Sequence, residues 1–356
     1  METAMNRLGV FLEGLPARVT VDMARRAESA GFDRVWIPEI VFADAFVPST
    51  AVALSTKRIE VGTGVVGIWS RSPVAMGLEA YTLHDVSGGR AILGLGTQAK
   101  GYVENWHGRR YERPVRAMRE FLTILRRIVD LEETTYEGEI FSVRGFRLQA
   151  LPTERRLRLY VAAIGPKMVQ LAGELADGLL GYFYSVEYLR DVVLPNLQIG
   201  AARAGRSLDG FDVGVGLPAN VGDPDRSIDE LRGQILMFAT AAGSSPAYAK
   251  SISAAGFGDT AEEVRERARA GDTDGALAAI SPEFVDALTV SGNPVHARER
   301  IAAYTEAGAT SVAVNPAAPH AFYPLYAGHL EGLTFPEFDF DGYLRVIGDT
   351  MDALAR

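Results

Sequence analysis

Short β-branched runs alternate along the chain with stretches whose apolar residues recur at helical spacing. That is the pattern of a parallel sheet with crossover helices. The runs predict strands at 7–12, 34–38, 59–66, 91–95, 159–163, 179–184, 211–221 and 311–315. Between them the helical spacing predicts helices at 20–30, about 44–55, 114–131, 167–175, 186–204, 298–307 and 338–354. Thr20 is the expected N-cap of the first and Gly31 its stop. A further helix opens at Ser72 with Pro73 in its first position and closes at Ser87-Gly88-Gly89. Residues 136–148 alternate like a small hairpin with Glu137-Gly138 at the turn, and 97–111 reads as a loop. Residues 225–288 are Ala-rich and helical, without a convincing strand.

Eight strands, nearly all followed by a helix, predict one (β/α)₈ TIM barrel over residues 1–356, with insertions at about 97–111, 131–150 and 225–290. A doubly wound sheet is the rival. No G-x-G-x-x-G opens a helix after the first strand, and Gly94-Leu95-Gly96 supplies two of the three glycines, with Ala99 in the last place. There is no internal repeat and no low-complexity linker.

Composition narrows the chemistry. The chain is 47% hydrophobic and 23% charged, and its formal charge of −9 repels phosphate backbones, so nucleic acid is not an expected partner. It has no cysteine, which excludes disulfides, thiolate nucleophiles and Cys-ligated metals. No apolar run has bilayer-spanning length and the N-terminus lacks a signal-peptide pattern, so no membrane partner and a cytoplasmic location are expected. The five histidines are scattered without H-x-x-x-H spacing, and no G-x-S-x-G elbow occurs, so no metal site and no serine hydrolase are expected.

In a barrel the working residues follow the strands at their C-terminal ends. Here these are Glu13; Glu39; Trp69, Ser70 and Arg71; Gly96, Thr97 and Gln98, then Glu104, Trp106 and His107; Gly165, Pro166 and Lys167; and Tyr182 and Tyr184. Partial desolvation at the barrel mouth would raise Glu39 toward a range useful for proton transfer, while Glu13, closing the first strand beside Phe11, Leu12 and Leu15, is expected to line a substrate pocket. Gly165-Pro166-Lys167 joins a strand to a helix. It either offers backbone N–H groups and a cation to an anion or simply turns the chain. Arg90, before a strand, is expected to pair with Asp85 or hold a helix end.

Several segments resemble one family. Val61-Gly62-Thr63-Gly64-Val65-Val66 with Trp69-Ser70-Arg71-Ser72-Pro73, and Leu83-His84-Asp85-Val86-Ser87-Gly88-Gly89-Arg90 running into Leu93-Gly94-Leu95-Gly96-Thr97, resemble the bacterial luciferase-like flavin and deazaflavin enzymes. Trp106-His107-Gly108 with Tyr111-Glu112-Arg113-Pro114, and Ala163-Ile164-Gly165-Pro166-Lys167-Met168, resemble the branch that uses coenzyme F420. The matches span about 5–185.

The resemblance implies a (β/α)₈ barrel that exchanges hydride between a deazaflavin, coenzyme F420, and a small organic substrate. It implies cofactor contacts from Gly64, Val65, Gly96, Thr97, Glu104, Gly165, Pro166, Lys167 and Met168, with a cis peptide at Gly64–Val65 behind the ring. Glu39 and Glu13 are then the catalytic candidates, and Trp69, Trp106, His107 and Tyr184 the substrate-pocket candidates. Where many deazaflavin members have Asp-His after the second strand, this chain has Glu39-Ile40. Three alternatives stand beside this reading: a flavin monooxygenase of the same fold using FMN, a non-catalytic flavin-binding barrel, and a glycoside hydrolase built on Glu13 and Glu39. The apolar residues and small side chains of the helices starting near Asp44 and Ser72 predict a homodimer through those helices.

Overall fold

The computed structural model describes residues 7–40, 43–241, 246–317 and 339–356. Its strands are β1 (Arg7–Phe11), β2 (Arg34–Ile37), β3 (Glu60–Thr63), β4 (Val66–Gly67), β5 (Ala91–Gly96), β6 (Thr134–Glu137), β7 (Ser142–Phe146), β8 (Arg158–Ala162), β9 (Gly178–Tyr182), β10 (Asp212–Val221), β11 (Val290–Gly292) and β12 (Ser311–Pro316). The order β10-β12-β1-β2-β3-β5-β8-β9 closes through β9 pairing back onto β10, and every neighbour in this ring is parallel. It is the closed (β/α)₈ barrel that the strand–helix alternation predicts. β4 continues β3 after the Gly64–Val65 peptide, which is cis. β6 and β7 form the expected hairpin apart from the barrel.

Side chains from alternate strand positions fill the barrel. Phe11, Trp36, Ile92, Tyr160, Leu180 and Ala313 form its interior, with Val65 and Tyr182 packed against them toward the mouth. Gly62 is needed here, because a Cβ at that position would run into the Trp36 ring. At the opposite end Arg34, 1% exposed, pairs with Asp212 and with Glu60, each at 2.8 Å. Asp212 also accepts from the Tyr160, Thr310 and Ser311 hydroxyls. Against the desolvation that would raise it, Arg34 and these hydroxyls hold the Asp212 carboxyl below the usual range. A buried ion pair this complete fixes the barrel base, and the mouth is left for chemistry.

Several elements differ from their expected form. The first helix is Ala17–Ser29 and begins after Pro16; Thr20 lies inside it, and its hydroxyl bonds the Leu15 and Pro16 carbonyls instead of capping. The 97–111 segment contains a short helix, Lys100–Asn105. Helix Pro294–Glu306 starts earlier than 298, because Asn293 accepts from the Val295 and His296 amides and Pro294 takes the first position. Arg90 makes no ion pair with Asp85 but does hold helix ends, as the other expected role had it: it donates to the Ser87 carbonyl that closes helix Pro73–Val86 and to the Ala53, Thr56 and Ile59 carbonyls at the end of helix Phe46–Ser55. The expected start of the closing helix at 338 lies outside the described residues, and the described helix is Phe340–Ala353.

The 225–288 stretch is helical as expected: Pro224–Ala241, Pro246–Ala254, Gly258–Arg269, Thr273–Ala278 and Pro282–Leu288. These helices share a core of their own, including Leu231, Ile235, Phe238, Ile252, Val264 and Phe284, which reaches the barrel through Phe183. The short strand β11 then adds to the far end of β10.

Candidate active site

Three strand ends meet at the mouth. Glu13 follows β1, Tyr182 ends β9 and Asn315 lies in β12. The Asn315 amide nitrogen donates to Glu13 Oε2 at 3.1 Å and to the Tyr182 hydroxyl at 2.8 Å. Tyr343, from helix Phe340–Ala353, donates to the Glu13 backbone carbonyl at 2.9 Å. The insertion reaches the same point: Phe238 lies 5.6 Å from the Tyr182 ring and 5.1 Å from Tyr248.

This lining makes Glu13 unusual. Burial pushes its carboxyl up to about 7, with the Asn315 hydrogen bond pulling the other way. At neutral pH the group therefore exists in both protonation states, which suits an acid–base catalyst. Burial also pushes the Tyr182, Tyr248 and Tyr343 hydroxyls up, so they remain neutral donors and acceptors.

Glu39 is placed differently. Both of its oxygens accept from Arg71, at 2.5 and 2.9 Å, and Oε2 also accepts from the Ala45 amide at 3.1 Å. Arg71 in turn meets Glu79 at 2.7 Å and lies over the Phe46 ring. Glu39 is thereby tied to Arg71 and to the start of helix Phe46–Ser55.

The remaining candidates have varied surroundings. Val65 packs on the barrel interior, and a Cβ on Gly96 would come within 2.6 Å of its Cγ2, so β5 can pass this close only as glycine. The Thr97 hydroxyl accepts from the Tyr111 hydroxyl at 3.4 Å, and Glu104 accepts from the Tyr111 amide at 3.4 Å. Gln98, at φ +55°, folds its amide over Gly67. Gly165 caps helix Pro166–Leu175 in open space, since a Cβ there would meet nothing within 4 Å; Lys167 is exposed and Met168 packs against the core. Trp69 is buried between Tyr111 and Phe141, while Trp106 stacks on Tyr102 at 4.1 Å and His107 is exposed.

Tyr184 is a correction. It is fully buried, donates to the Ala163 carbonyl and packs on Tyr188 within the outer core, so it lines no pocket. The strand leaves the barrel at Phe183, whose φ of +59° turns the next side chain outward; Tyr182 holds the mouth position. Asn315 was missed, although its place at the end of the last strand is a signal in itself. Phe238, Tyr248 and Tyr343 carried none, because helical spacing alone does not say which helix covers the mouth.

The luciferase-like monooxygenase family model matches residues 4–311. The chain belongs to the luciferase-like monooxygenase family. As a member of that family it is an oxidoreductase. It is 33% identical over 291 residues to the 5,10-methylenetetrahydromethanopterin reductase of Archaeoglobus fulgidus, covering 80% of this chain and 86% of the relative. Among solved structures, family resemblance in fold extends to the coenzyme F420-dependent tetrahydromethanopterin reductase of Methanopyrus kandleri, with TM-score 0.77, 22% identity and 99% of both chains covered. An F420-dependent secondary alcohol dehydrogenase in complex with an F420-acetone adduct gives TM-score 0.72 at 18% identity, with 99% of both chains covered.

Three buried polar atoms of this region have no partner among the described residues: Asn315 Oδ1, Gln98 Oε1 and Trp69 Nε1. Unsatisfied groups of this kind suit a planar heterocycle with hydrogen-bonding edges. The residues present are compatible with a flavin or a deazaflavin alike.

Proposed function

We propose that the chain binds coenzyme F420 across the barrel mouth and transfers hydride between it and a small organic substrate, with Glu13 handling the accompanying proton. The cofactor assignment is supported by the F420-dependent enzymes of the same fold and by the reductase of Archaeoglobus fulgidus. Val65, Gly64 and Gly96 would back the ring, Thr97 and Glu104 would border it, and Gly165, Pro166, Lys167 and Met168 would receive the phosphate at an open helix start. When bound, the reduced coenzyme supplies a hydride.

The observation that carries the reading is Glu13. Its carboxyl titrates near 7 beside a tyrosine hydroxyl and an amide, so it can give a proton as a substrate is reduced and take one as it is oxidised. Tyr182 and Asn315 orient it, and Phe238 and Tyr248 exclude water from that side. No cation pairs with Glu13 among the described residues.

Titration of the purified chain with F420 and, separately, with FMN tests the cofactor. F420 is expected to bind at least tenfold more tightly, a gap of about 1.4 kcal/mol. Preference for FMN would overturn the proposal.

A further inference from the structure

The last barrel strand delivers Asn315 between the ends of β1 and β9. The side chain is 6% exposed, and both of its polar contacts are made by one atom: Nδ2 donates to Glu13 at 3.1 Å and to the Tyr182 hydroxyl at 2.8 Å. An amide nitrogen has two N–H groups, so both are engaged. Oδ1 has no partner among the described residues. The reverse orientation would set the amide oxygen against the Glu13 carboxylate and leave two buried N–H groups unmet in place of one acceptor, which costs more.

We propose that Asn315 is a positioning residue for proton transfer, holding the Glu13 carboxylate and the Tyr182 hydroxyl in one frame and favouring the ionised form of Glu13. The proposal rests on the reading of Glu13 as the acid–base group. Because the Tyr182 oxygen accepts from Asn315, its own proton is left to donate toward the mouth. The amide thus sorts the two neighbours into roles: Tyr182 polarises a substrate oxygen or nitrogen, and Glu13 exchanges the proton.

Among the described residues, the other titratable groups that face Glu13 are tyrosines. Tyr182 approaches from β9, Tyr343 from helix Phe340–Ala353 and Tyr102 from helix Lys100–Asn105, with Tyr248 beside Tyr102. Each is kept neutral by burial, and none brings a positive charge. Among the described residues Asn315 is the group that opposes the desolvation of Glu13. A second device is not needed for the carboxyl to reach the neutral range from above.

The test is a pH titration of the full chain, labelled with ¹³C at glutamate side-chain carboxyls and followed by NMR. The Glu13 signal is assigned by its loss in Glu13→Gln. It is expected to titrate near neutrality in the wild type. In Asn315→Leu its midpoint should rise by about one to two pH units, the equivalent of one charge-assisted hydrogen bond. Asn315→Ser, smaller than the native side chain and keeping one donor, should give a smaller rise with near-UV circular dichroism unchanged. A neutral-range signal that stays in place in both variants would overturn the role of Asn315. A wild-type signal in the ordinary carboxylate range would overturn the reading of Glu13 as well, so the two failures are distinct.

Discussion

The Arg71 guanidinium grips both oxygens of Glu39, at 2.5 and 2.9 Å, and so joins the loop after β2 to the loop after β4. The side chains of Arg71 and Glu39 are 17% and 13% exposed, and Glu39 also accepts from the Ala45 amide at the start of helix Phe46–Ser55. The contact is a brace on the rim of the mouth. Of the two carboxylates that follow the first two barrel strands, Glu39 meets this cation and Glu13 meets the Asn315 amide.

Removing the brace should affect stability before chemistry. Arg71→Ala leaves Glu39 partly buried and unpaired, and is expected to cost about 3 kcal/mol, the low end of the range for breaking a buried pair. Urea denaturation of the variant reads this directly. A midpoint equal to the wild type would show that the pair is only a surface contact.

Glu13→Gln should separate binding from turnover. F420 affinity is expected to stay within about threefold, while kcat on any accepted substrate falls by about 10²–10⁴. Loss of cofactor affinity with kcat preserved would place Glu13 on the wrong side of the reaction.

Glu13 also predicts a pH dependence of folding. Its folded value, about 7, lies above its ordinary 4.5, so the folded chain binds the extra proton between these values. The contribution to stability is fully present below pH 4.5 and is lost as pH rises to about 7. Glu13→Gln cannot ionise and escapes this loss. Relative to the wild type it should gain about 3 kcal/mol between about pH 4 and pH 8. Parallel stability curves for the two proteins would count against a raised carboxyl.

Lys167→Ala should weaken F420 binding by about tenfold at low salt, a modest value because the side chain is exposed. The effect should shrink as salt screens the charge. Equal dissociation constants at low salt would move the phosphate away from the helix at Pro166–Leu175.

The helices Phe46–Ser55 and Pro73–Val86 pack on one another and expose Val47 at 67%, Leu54 at 73% and Leu78 at 44%. A second copy of the chain is the expected cover for these side chains. Sedimentation at micromolar concentration should therefore give a dimer, and Leu54→Asp combined with Leu78→Asp a folded monomer. A 38.4 kDa species in the wild type would contradict this.

The barrel was legible in the sequence because its signals are local. Most strands are short apolar runs, many of them β-branched, that a helix follows, and closure of eight such units follows from their order. Even the mouth was partly legible, since the strand-end rule pointed to Glu13, Gly96 and Gly165 without coordinates. The exact start of helix Pro294–Glu306 and the helix inside 97–111 were weaker, because caps and short helices depend on a few side chains.

What the tertiary structure decided is which charges met. Glu13 and Glu39 look alike in the chain, each closing a strand in an apolar setting. Arg71, 32 residues from Glu39, reaches one of them, while Asn315, 302 residues from Glu13, reaches the other. Glu39 thus meets a cation, whereas Glu13 meets a neutral amide that only moderates the desolvation around it. That difference is a matter of barrel closure, which brings β12 beside β1, and of an insertion whose Phe238 packs against Tyr182 and Tyr248. The chain's own pattern determined the barrel; the packing of distant side chains determined which partner each of its two glutamates meets.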